Sequence, residues 1–241
     1  MSKKRNRAEI PILLLLAIIV SIFFMSCETT KTKIEYVLID PPEVPIDSVF
    51  NVSTTEEWDY AIEKIRAQGD GHSYLINILD DFGIVGSMNY GEMTFGTAKN
   101  ISVVIDGEYL AILGFHYMLG IGQFQNVTIN NLRMGGTGVG NVPGLTPRIL
   151  VIGTDAVLTF QGDATIDLLN VGIEIHHGGT FNLLDNACLW GFSLAVIVNE
   201  YGVFNMRDNA SIKNGGQAVV IDHGGKFNMY GGTIINNYLR Y

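Results

Sequence analysis

The sequence predicts an all-β protein whose main domain is a right-handed, single-stranded parallel β-helix. Pairs of apolar residues two positions apart return every 23 residues, and three such rows recur within each repeat. Glycine, aspartate and asparagine stand between the rows, where turns are needed. Of 241 residues, 47% are apolar and only 16% charged, which excludes disorder for the bulk of the chain.

The N-terminal segment, 1–26, has the layout of a cleaved secretory signal peptide. Four basic side chains lie among the first seven residues, an apolar run follows from Ile12 to Met25, and the small residue Ser26 precedes Cys27. The apolar run has about 14 residues, too few to cross a ~30 Å hydrocarbon layer comfortably as a helix. We therefore expect an exported protein whose signal is removed.

The residues around Cys27 add a lipid anchor to this expectation. The sequence Phe24-Met25-Ser26-Cys27 resembles the lipobox of bacterial lipoproteins, although that family usually has Leu in place of Phe24. The resemblance implies acylation of Cys27, with the lipid bilayer as partner and the outer membrane, cell surface or periplasmic face as location. Residues 27–50, rich in Thr, Lys and Pro, are predicted to form a tether.

A short helix is predicted at the start of the β-helix domain, which spans residues 51–241. Thr54 and Glu57 have the spacing of a capping box. Apolar residues then follow at helical spacing: Trp58, Ala61, Ile62 and Ile65. Because the first coil of a solenoid exposes unpaired edge groups and core side chains, we expect this helix to cap it.

The three rows predict three short strands per repeat and about seven coils. The first row is Ile76/Ile78, Val103/Ile105, Val127/Ile129, Leu150/Ile152, Ile173/Ile175, Val196/Val198 and Val219/Ile221. The second row is Leu158/Phe160, Phe181/Leu183, Phe204/Met206 and Phe227/Met229. The third row is Ala164/Ile166, Ala187/Leu189, Ala210/Ile212 and Thr233/Ile235. No segment between rows has the length of a crossover helix, so stacked parallel strands are the expected arrangement.

Two stretches of the repeat resemble a known family. Residues Asn126–Leu132 and Gly225–Ile234 look like coils of pectate-lyase-like β-helix proteins, and the second is similar to coils of bacterial surface lipoproteins and adhesin-like proteins. The resemblance implies a fold that hosts lyases, hydrolases and non-enzymatic surface proteins. Lyases of this kind use calcium and a basic residue, whereas the hydrolases use closely set carboxylates.

Outward positions of the repeat form polar columns. Asn182, Asn205 and Asn228 form one column, which we interpret as a structural ladder of hydrogen-bonded amides. His177, Glu200 and His223 form a second, beside His176, Asn199 and Asp222. Neighbours in a column lie ~4.8 Å apart. The second column is therefore a candidate site for zinc or calcium, against the alternative that its members are solvated turn residues.

No catalytic residue can be assigned from the sequence. Asp80 and Asp81 form the only adjacent carboxylate pair in the stack, and a solvated turn explains them. The basic residues of the coils do not align with a carboxylate cluster in the predicted columns; they are Arg133, Arg148, Arg207, Lys213 and Lys226. Cys188 is interpreted as a buried, inert thiol.

Composition and exposed aromatic residues guide the functional hypotheses. Without residues 1–26, 11 basic and 23 acidic side chains remain, a net charge near -12 that disfavours nucleic acid and, without a metal ion, acidic polysaccharide. Trp190, Tyr201 and Tyr230 are candidates for stacking on sugar rings. The leading hypothesis is a surface or periplasmic binding or adhesion module for a carbohydrate or host-cell ligand. The alternative is a polysaccharide lyase or hydrolase with its site in the inserted turn at residues 135–147.

The predicted C-terminus lacks a cap. The chain reaches Tyr241 just after a strand of the last coil, with nothing comparable to the N-terminal helix. An uncovered solenoid end exposes strand edges that can pair with another chain. The sequence therefore predicts end-to-end self-association or a truncated gene product.

Overall fold

A computed structural model describes residues 46–84, 92–107, 112–115, 118–135, 148–167 and 171–238. The predicted signal peptide, Cys27, the tether up to residue 45 and residues 136–147 of the predicted insertion lie outside these ranges. Among the described residues, no helix is long and apolar enough to cross a lipid bilayer.

The described chain forms a parallel β-helix of about six turns, close to the seven predicted. Sheet A contains β1 Ser48–Val52, β2 Ser73–Ile78, β4 Ile101–Asp106, β7 Gln125–Asn130, β10 Val157–Gln161, β13 Thr180–Leu183, β16 Val203–Met206 and β19 Lys226–Met229. Sheet B contains β3 Phe82–Ile84, β5 Ile112–Phe115, β8 Arg133–Gly135, β11 Thr165–Asp167, β14 Cys188–Trp190, β17 Ser211–Lys213 and β20 Thr233–Ile235. Sheet C contains β6 Met118–Ile121, β9 Arg148–Ile152, β12 Val171–His176, β15 Leu194–Val198 and β18 Gln217–Ile221.

The core consists of like side chains stacked from coil to coil. Phe181 and Phe204 pack face to face with ring centroids 5.1 Å apart, and Phe204 and Phe227 follow at 4.8 Å. Phe160 meets Phe181 edge to face at 5.5 Å. The second predicted row is thus confirmed as the inward face of sheet A. Cys188 is a buried free thiol, as predicted.

Part of the first predicted row belongs to a different sheet. Val127 pairs in register with Leu158 of sheet A, not with a residue of sheet C. The coil between these partners is longer than the regular repeat, because it contains the inserted turn. The repeat-length separation between Val127 and Leu150 therefore does not reflect a pairing between their strands. Upstream, Ile76 pairs with Ile105 instead of Val103.

Two other predicted positions are shifted by one residue. In β9, Ile149 and Val151 pair with the inward residues of β12, so the predicted pair Leu150/Ile152 was wrong. A shift of one residue moves every side chain of a strand to the opposite face of the sheet. In β20, Ile234 pairs with Ile212, in place of the predicted Ile235, because the Gly231-Gly232 turn is one residue shorter than its equivalents.

The predicted cap is present as helix α1, Thr55–Gln68. The Thr54 hydroxyl accepts a hydrogen bond from Glu57 N at 3.2 Å, and the Glu57 carboxylate accepts one from Ser53 N at 2.7 Å. The predicted apolar face is buried, and the helix packs against β1 and β3 at the N-terminal end of the stack. Strand β1 begins at Ser48, so the β-helix starts slightly before the predicted boundary at residue 51.

Candidate functional site

The turn from sheet C to sheet A has one repeated backbone conformation. His177, Glu200 and His223 occupy the same position in three successive coils with φ values of 50°, 47° and 45°. The following residue also has positive φ, and the turn is closed by a backbone hydrogen bond such as Gly202 N to Asn199 O, 2.8 Å. Two successive left-handed residues closed in this way correspond to a type I′ turn. The local fold therefore holds the predicted column outward, along one edge of the stack.

Within this column, the structure brings only two of the three predicted metal ligands together. His177 Nδ1 lies 2.5 Å from Glu200 Oε2, whereas His223 Nδ1 lies 3.0 Å from the carboxylate of its neighbour Asp222. Both imidazoles are largely exposed. No three His, Cys, Asp or Glu side chains in the described ranges are grouped to hold a metal ion. Binding of zinc or calcium stays a prediction, to be tested by calorimetric titration.

Beside this column lies a charged cluster that sequence reasoning missed. Arg148 Nη1 lies 2.5 Å from Glu174 Oε1, and His176 Nε2 lies 3.4 Å from Glu174 Oε2. The sequence interpretation did not place Arg148 beside Glu174, because the incorrect register of β9 turned Arg148 to the inward face. Aligning Ile149, in place of Leu150, with Ile173 would have placed Arg148 on the outer face with Glu174.

The cluster is shielded from water. Only 8% of the Glu174 side chain is exposed, and Leu150, its register partner on the same outer face, is fully buried. Removing a carboxylate from water is costly unless a counterion and hydrogen bonds replace the lost solvation. Arg148 supplies that counterion. The arrangement therefore fixes a negative charge on the outer face of sheet C with an imidazole against it.

The cluster and the turn column adjoin each other, and we call the two together the polar ridge: Arg148, Glu174, His176, His177 and Glu200. The two imidazole rings join the two halves, with centroids 6.1 Å apart. Positive, negative and titratable groups thus follow one another along the ridge. Such a row of fixed donors and acceptors can orient a polar ligand by hydrogen bonds.

Tyr201 stands next to Glu200 and breaks the pattern of the turn. Its φ is 66°, and the equivalent residues one coil before and after are Gly178 and Gly224. A bulky residue at positive φ is a conformational outlier, and glycine is the residue that adopts this conformation without strain. The side chain is 77% exposed. Its ring lies over Gly224, where an added Cβ would be 3.0 Å from Tyr201 Cδ1.

The three aromatic residues predicted to contact sugars are exposed but do not share a face. Trp190 ends a strand of sheet B, Tyr201 lies on the turn before sheet A, and Tyr230 lies on the turn after β19. The Tyr230 ring already carries the guanidinium of Arg207, 4.8 Å from its centroid. Of the three, only Tyr201 adjoins the polar ridge.

The predicted asparagine ladder is a feature of the fold. Asn205 Nδ2 donates to Asn182 Oδ1 and Asn228 Nδ2 donates to Asn205 Oδ1, each at 2.9 Å. At the other end, Asn182 Nδ2 donates to Thr159 Oγ1 at 3.3 Å. The amides therefore satisfy one another along the stack, which accounts for them without a ligand.

The carboxylate pair at Asp80 and Asp81 has the geometry of a surface turn. Both residues are exposed, and Asp80 Oδ1 accepts a hydrogen bond from the backbone N–H of Asp81 at 2.8 Å. General acid and base groups must converge on one substrate position in different environments. The exposure of both residues and the hydrogen bond within the pair match a solvated surface turn.

Comparison with protein-family models, curated proteins and solved structures finds no match for this chain.

Proposed function

We propose that the chain is an exported lipoprotein, anchored in a membrane through acylated Cys27, whose β-helix acts as a binding or adhesion module for carbohydrate. Support for export and anchoring comes from the basic and apolar N-terminal residues and from the lipobox-like sequence before Cys27. The resemblance of its coils to those of pectate-lyase-like and adhesin-like surface proteins supports the choice of a binding module.

The observation that carries the binding proposal is Tyr201. Strained backbone positions persist where function requires them, and glycine would relieve this one, as it does in the adjoining coils. The gain is a large aromatic ring, 77% exposed, on the residue that follows Glu200, whose carboxylate contacts the imidazole of His177. A flat apolar face next to fixed hydrogen-bonding groups matches the faces and hydroxyl groups of a sugar ring.

The net charge narrows the class of carbohydrate. Without residues 1–26, the chain carries 11 basic and 23 acidic side chains, so a polyanionic polysaccharide is repelled at long range. A neutral oligosaccharide avoids this repulsion. It also accepts and donates hydrogen bonds without needing a counterion on the ridge.

The decisive variant is Tyr201→Gly in the full chain, tested on an array of neutral and anionic glycans. We expect binding to fall at least tenfold while the melting temperature stays equal or rises, because glycine relieves the positive φ. Tyr60→Ala is the matched control, since Tyr60 is also exposed but lies on α1, away from the ridge. Unchanged glycan binding by Tyr201→Gly would refute the assignment.

Anchoring is tested separately with Cys27→Ser. The unmodified chain should incorporate radiolabelled palmitate and remain with the membrane fraction after a high-salt wash. The variant should incorporate no label. Label in the variant would show that acylation occurs elsewhere or that the Cys27 assignment is wrong.

A specific observation favours the enzymatic alternative, a polysaccharide lyase or glycoside hydrolase. The buried Glu174 carboxylate lies against His176 and Arg148, and Arg148 directly follows the predicted insertion in sequence. A shielded carboxylate with an imidazole against it can act in proton transfer. Incubation with a glycan panel, with and without calcium, should then yield new reducing ends or unsaturated products that Glu174→Gln abolishes. Intact glycans under both conditions would exclude this activity for the substrates tested.

A further inference from the structure

The turn that precedes sheet A recurs in five successive coils and places one residue of each coil in a single column. In every one of these coils, a backbone hydrogen bond of 2.8–3.1 Å closes the turn. The residue just before the donor of this bond has a positive φ in all five coils: Phe124 (60°), Asp155 (59°), Gly178 (82°), Tyr201 (66°) and Gly224 (82°). The strands that follow pair in register, so these residues are equivalent. The column therefore runs along one edge of the stack and includes Tyr201 of the proposed binding site.

Phe124 is the second bulky residue of this column at positive φ. Its side chain is partly exposed. Glycine adopts this conformation without strain and aspartate is enriched in it, whereas a large aromatic residue is an outlier. Glycine or aspartate occupies the three other positions of the column. Strained backbone of this kind clusters at functional sites, so the two aromatic residues on one edge point to one function that both serve.

The two rings contact coils on opposite sides of the interval between them. Lys99 Nζ lies 5.8 Å from the centroid of the Phe124 ring, and Lys99 belongs to the preceding coil. The Tyr201 ring contacts the following coil, where a Cβ added to Gly224 would lie 3.0 Å from Tyr201 Cδ1. Neither contact involves the two coils that lie between the rings.

The interval between the two aromatic residues is long and polar. It covers three coil spacings, about 14 Å at the ordinary distance between neighbouring strands. Gly178 leaves open space within it, because an added Cβ would have no heavy atom closer than Thr154 Oγ1 at 3.8 Å. Exposed polar side chains lie along the interval: Thr154, Asp155 and His177. A single sugar ring is much shorter than this interval, whereas a chain of several sugars spans it.

We propose that the ligand is a linear neutral oligosaccharide that lies along this edge, parallel to the stack axis, with one sugar against Tyr201 and another against Phe124. The inference rests on the carbohydrate binding proposed above and adds a second contact residue and the length of the ligand. Each aromatic ring offers a flat apolar face to one sugar, and the polar groups between the rings bond the hydroxyl groups of the chain. The carboxylates of Asp155 and Glu200 on the same edge repel an anionic chain, which favours a neutral one.

Calorimetric titration of the full chain in detergent with glycans of two lengths tests the proposal. The probes are the disaccharides and hexasaccharides of the cello-, malto-, laminari-, manno- and xylo-oligosaccharide series, all linear and neutral. In at least one series, the hexasaccharide should bind at least tenfold more tightly than the disaccharide, because only the longer chain reaches both rings. Equal affinities for the two lengths, or no binding in any series, would overturn this inference. Binding of a branched or anionic glycan on the array would then still support the broader binding function.

Phe124→Gly separates the contributions of the two rings. It should lower the affinity for the hexasaccharide at least tenfold and leave that for the disaccharide unchanged, whereas Tyr201→Gly should lower both. Glycine relieves the positive φ, so the variant should fold, and Phe124→Asn, which also accepts this φ, should give the same result. Tyr60→Ala on α1 is again the control and should change neither affinity.

The pattern of losses distinguishes this inference from the proposal on which it rests. If Phe124→Gly binds both lengths like the unaltered chain while Tyr201→Gly loses them, the extended ligand is wrong and the site at Tyr201 stands. If neither substitution changes binding, both are wrong.

Discussion

The last coil and the coil beneath it carry similar side chains at their inward positions, but in very different surroundings. Val198 and Met206 are fully buried, whereas their equivalents Ile221 and Met229 are 51% and 47% exposed. Among the described residues, the strands that carry Ile221 and Met229 are the last of their sheets, whereas Val198 and Met206 have a paired strand on both sides. Hydrophobic stabilisation scales with the apolar area removed from water. How much an inward residue of a solenoid stabilises the fold therefore depends on both neighbouring coils, because both bury it.

The N-terminal end shows how the same problem is solved within the chain. Val52 of β1 and its register partner Ile78 of β2 lie at the start of the stack and are buried to the same degree as residues in its middle. Helix α1 takes the place of a preceding coil, with Trp58 and Ile62 on its inner face. Among the described residues, a helix therefore covers the N-terminal end of the stack, whereas inward side chains of the last coil are exposed. The strands at both ends follow the same apolar pattern.

The strongest test of this comparison removes the equivalent phenylalanine rings from the two coils. Phe204→Ala should cost about 3–5 kcal/mol, because the ring is buried between Phe181 and Phe227. Phe227→Ala should cost about 1–2 kcal/mol, since part of its surface already contacts water. Urea unfolding at a concentration where the chain is monomeric measures both. Equal losses would show that burial at the two positions is the same in solution.

The asparagine ladder allows the same comparison for polar groups. Asn205 both donates to Asn182 and accepts from Asn228, whereas Asn228 makes the last bond of the ladder. Asn205→Ala should cost about 1–2 kcal/mol and Asn228→Ala about 0.5 kcal/mol, because the first removes two hydrogen bonds of the ladder and the second removes one. Thermal unfolding of both variants shows which substitution lowers the stability more. A larger loss for Asn228→Ala would contradict the ladder.

A third substitution tests how much the N-cap of helix α1 stabilises the N-terminal end of the stack. Thr54→Ala removes the acceptor for Glu57 N and should cost about 1 kcal/mol. The matched control is Thr154→Ala, which removes an exposed threonine hydroxyl from a turn of the stack. Guanidinium unfolding should separate the two variants. If they unfold together, the N-cap bond contributes nothing to the stability of the stack.

The smallest expected effect concerns a carboxylate of an inner coil. Burial raises the pKa of Asp167 above its ordinary value, and Arg133 opposes the increase. A raised native-state pKa means that the ionised form is disfavoured by folding, so the cost is present at neutral pH and disappears as pH falls through that pKa. Asp167→Asn should raise the melting temperature at pH 7 by about 1 °C, and the gain should vanish in acid. Asp59→Asn, on the exposed face of α1, removes the same charge as a control.

The fold could be predicted where the repeat is regular and not where its length changes. From Leu158 onward, the regular repeat places the inward residues of sheet A correctly through Phe227. Val127 was assigned to the wrong sheet because apolar pairs two residues apart look alike in every row. Only the strand pairing distinguishes the longer coil that follows Val127 from a chance match in spacing.

The candidate site was predicted in part, for the same physical reason. His177 and Glu200 lie in regular coils, and their pairing follows from the repeat. Arg148 lies beside the irregular coil, where an error of one residue reverses the face. The signal at Tyr201 was available, because aligning the coils places a tyrosine between Gly178 and Gly224. Its importance depends on the positive φ, which the sequence does not state.

The central claim is that side chains one repeat apart lie in adjacent coils, and disulfide formation tests it directly. Asn182 and Asn205 are register partners in neighbouring strands, at a separation that permits a disulfide. Asn182→Cys with Asn205→Cys should form a cross-link that peptide mass mapping locates. Asn182→Cys with Asn228→Cys, two coils apart, should not. A cross-link in the second pair and none in the first would contradict the stacked register on which the fold and the polar ridge both depend.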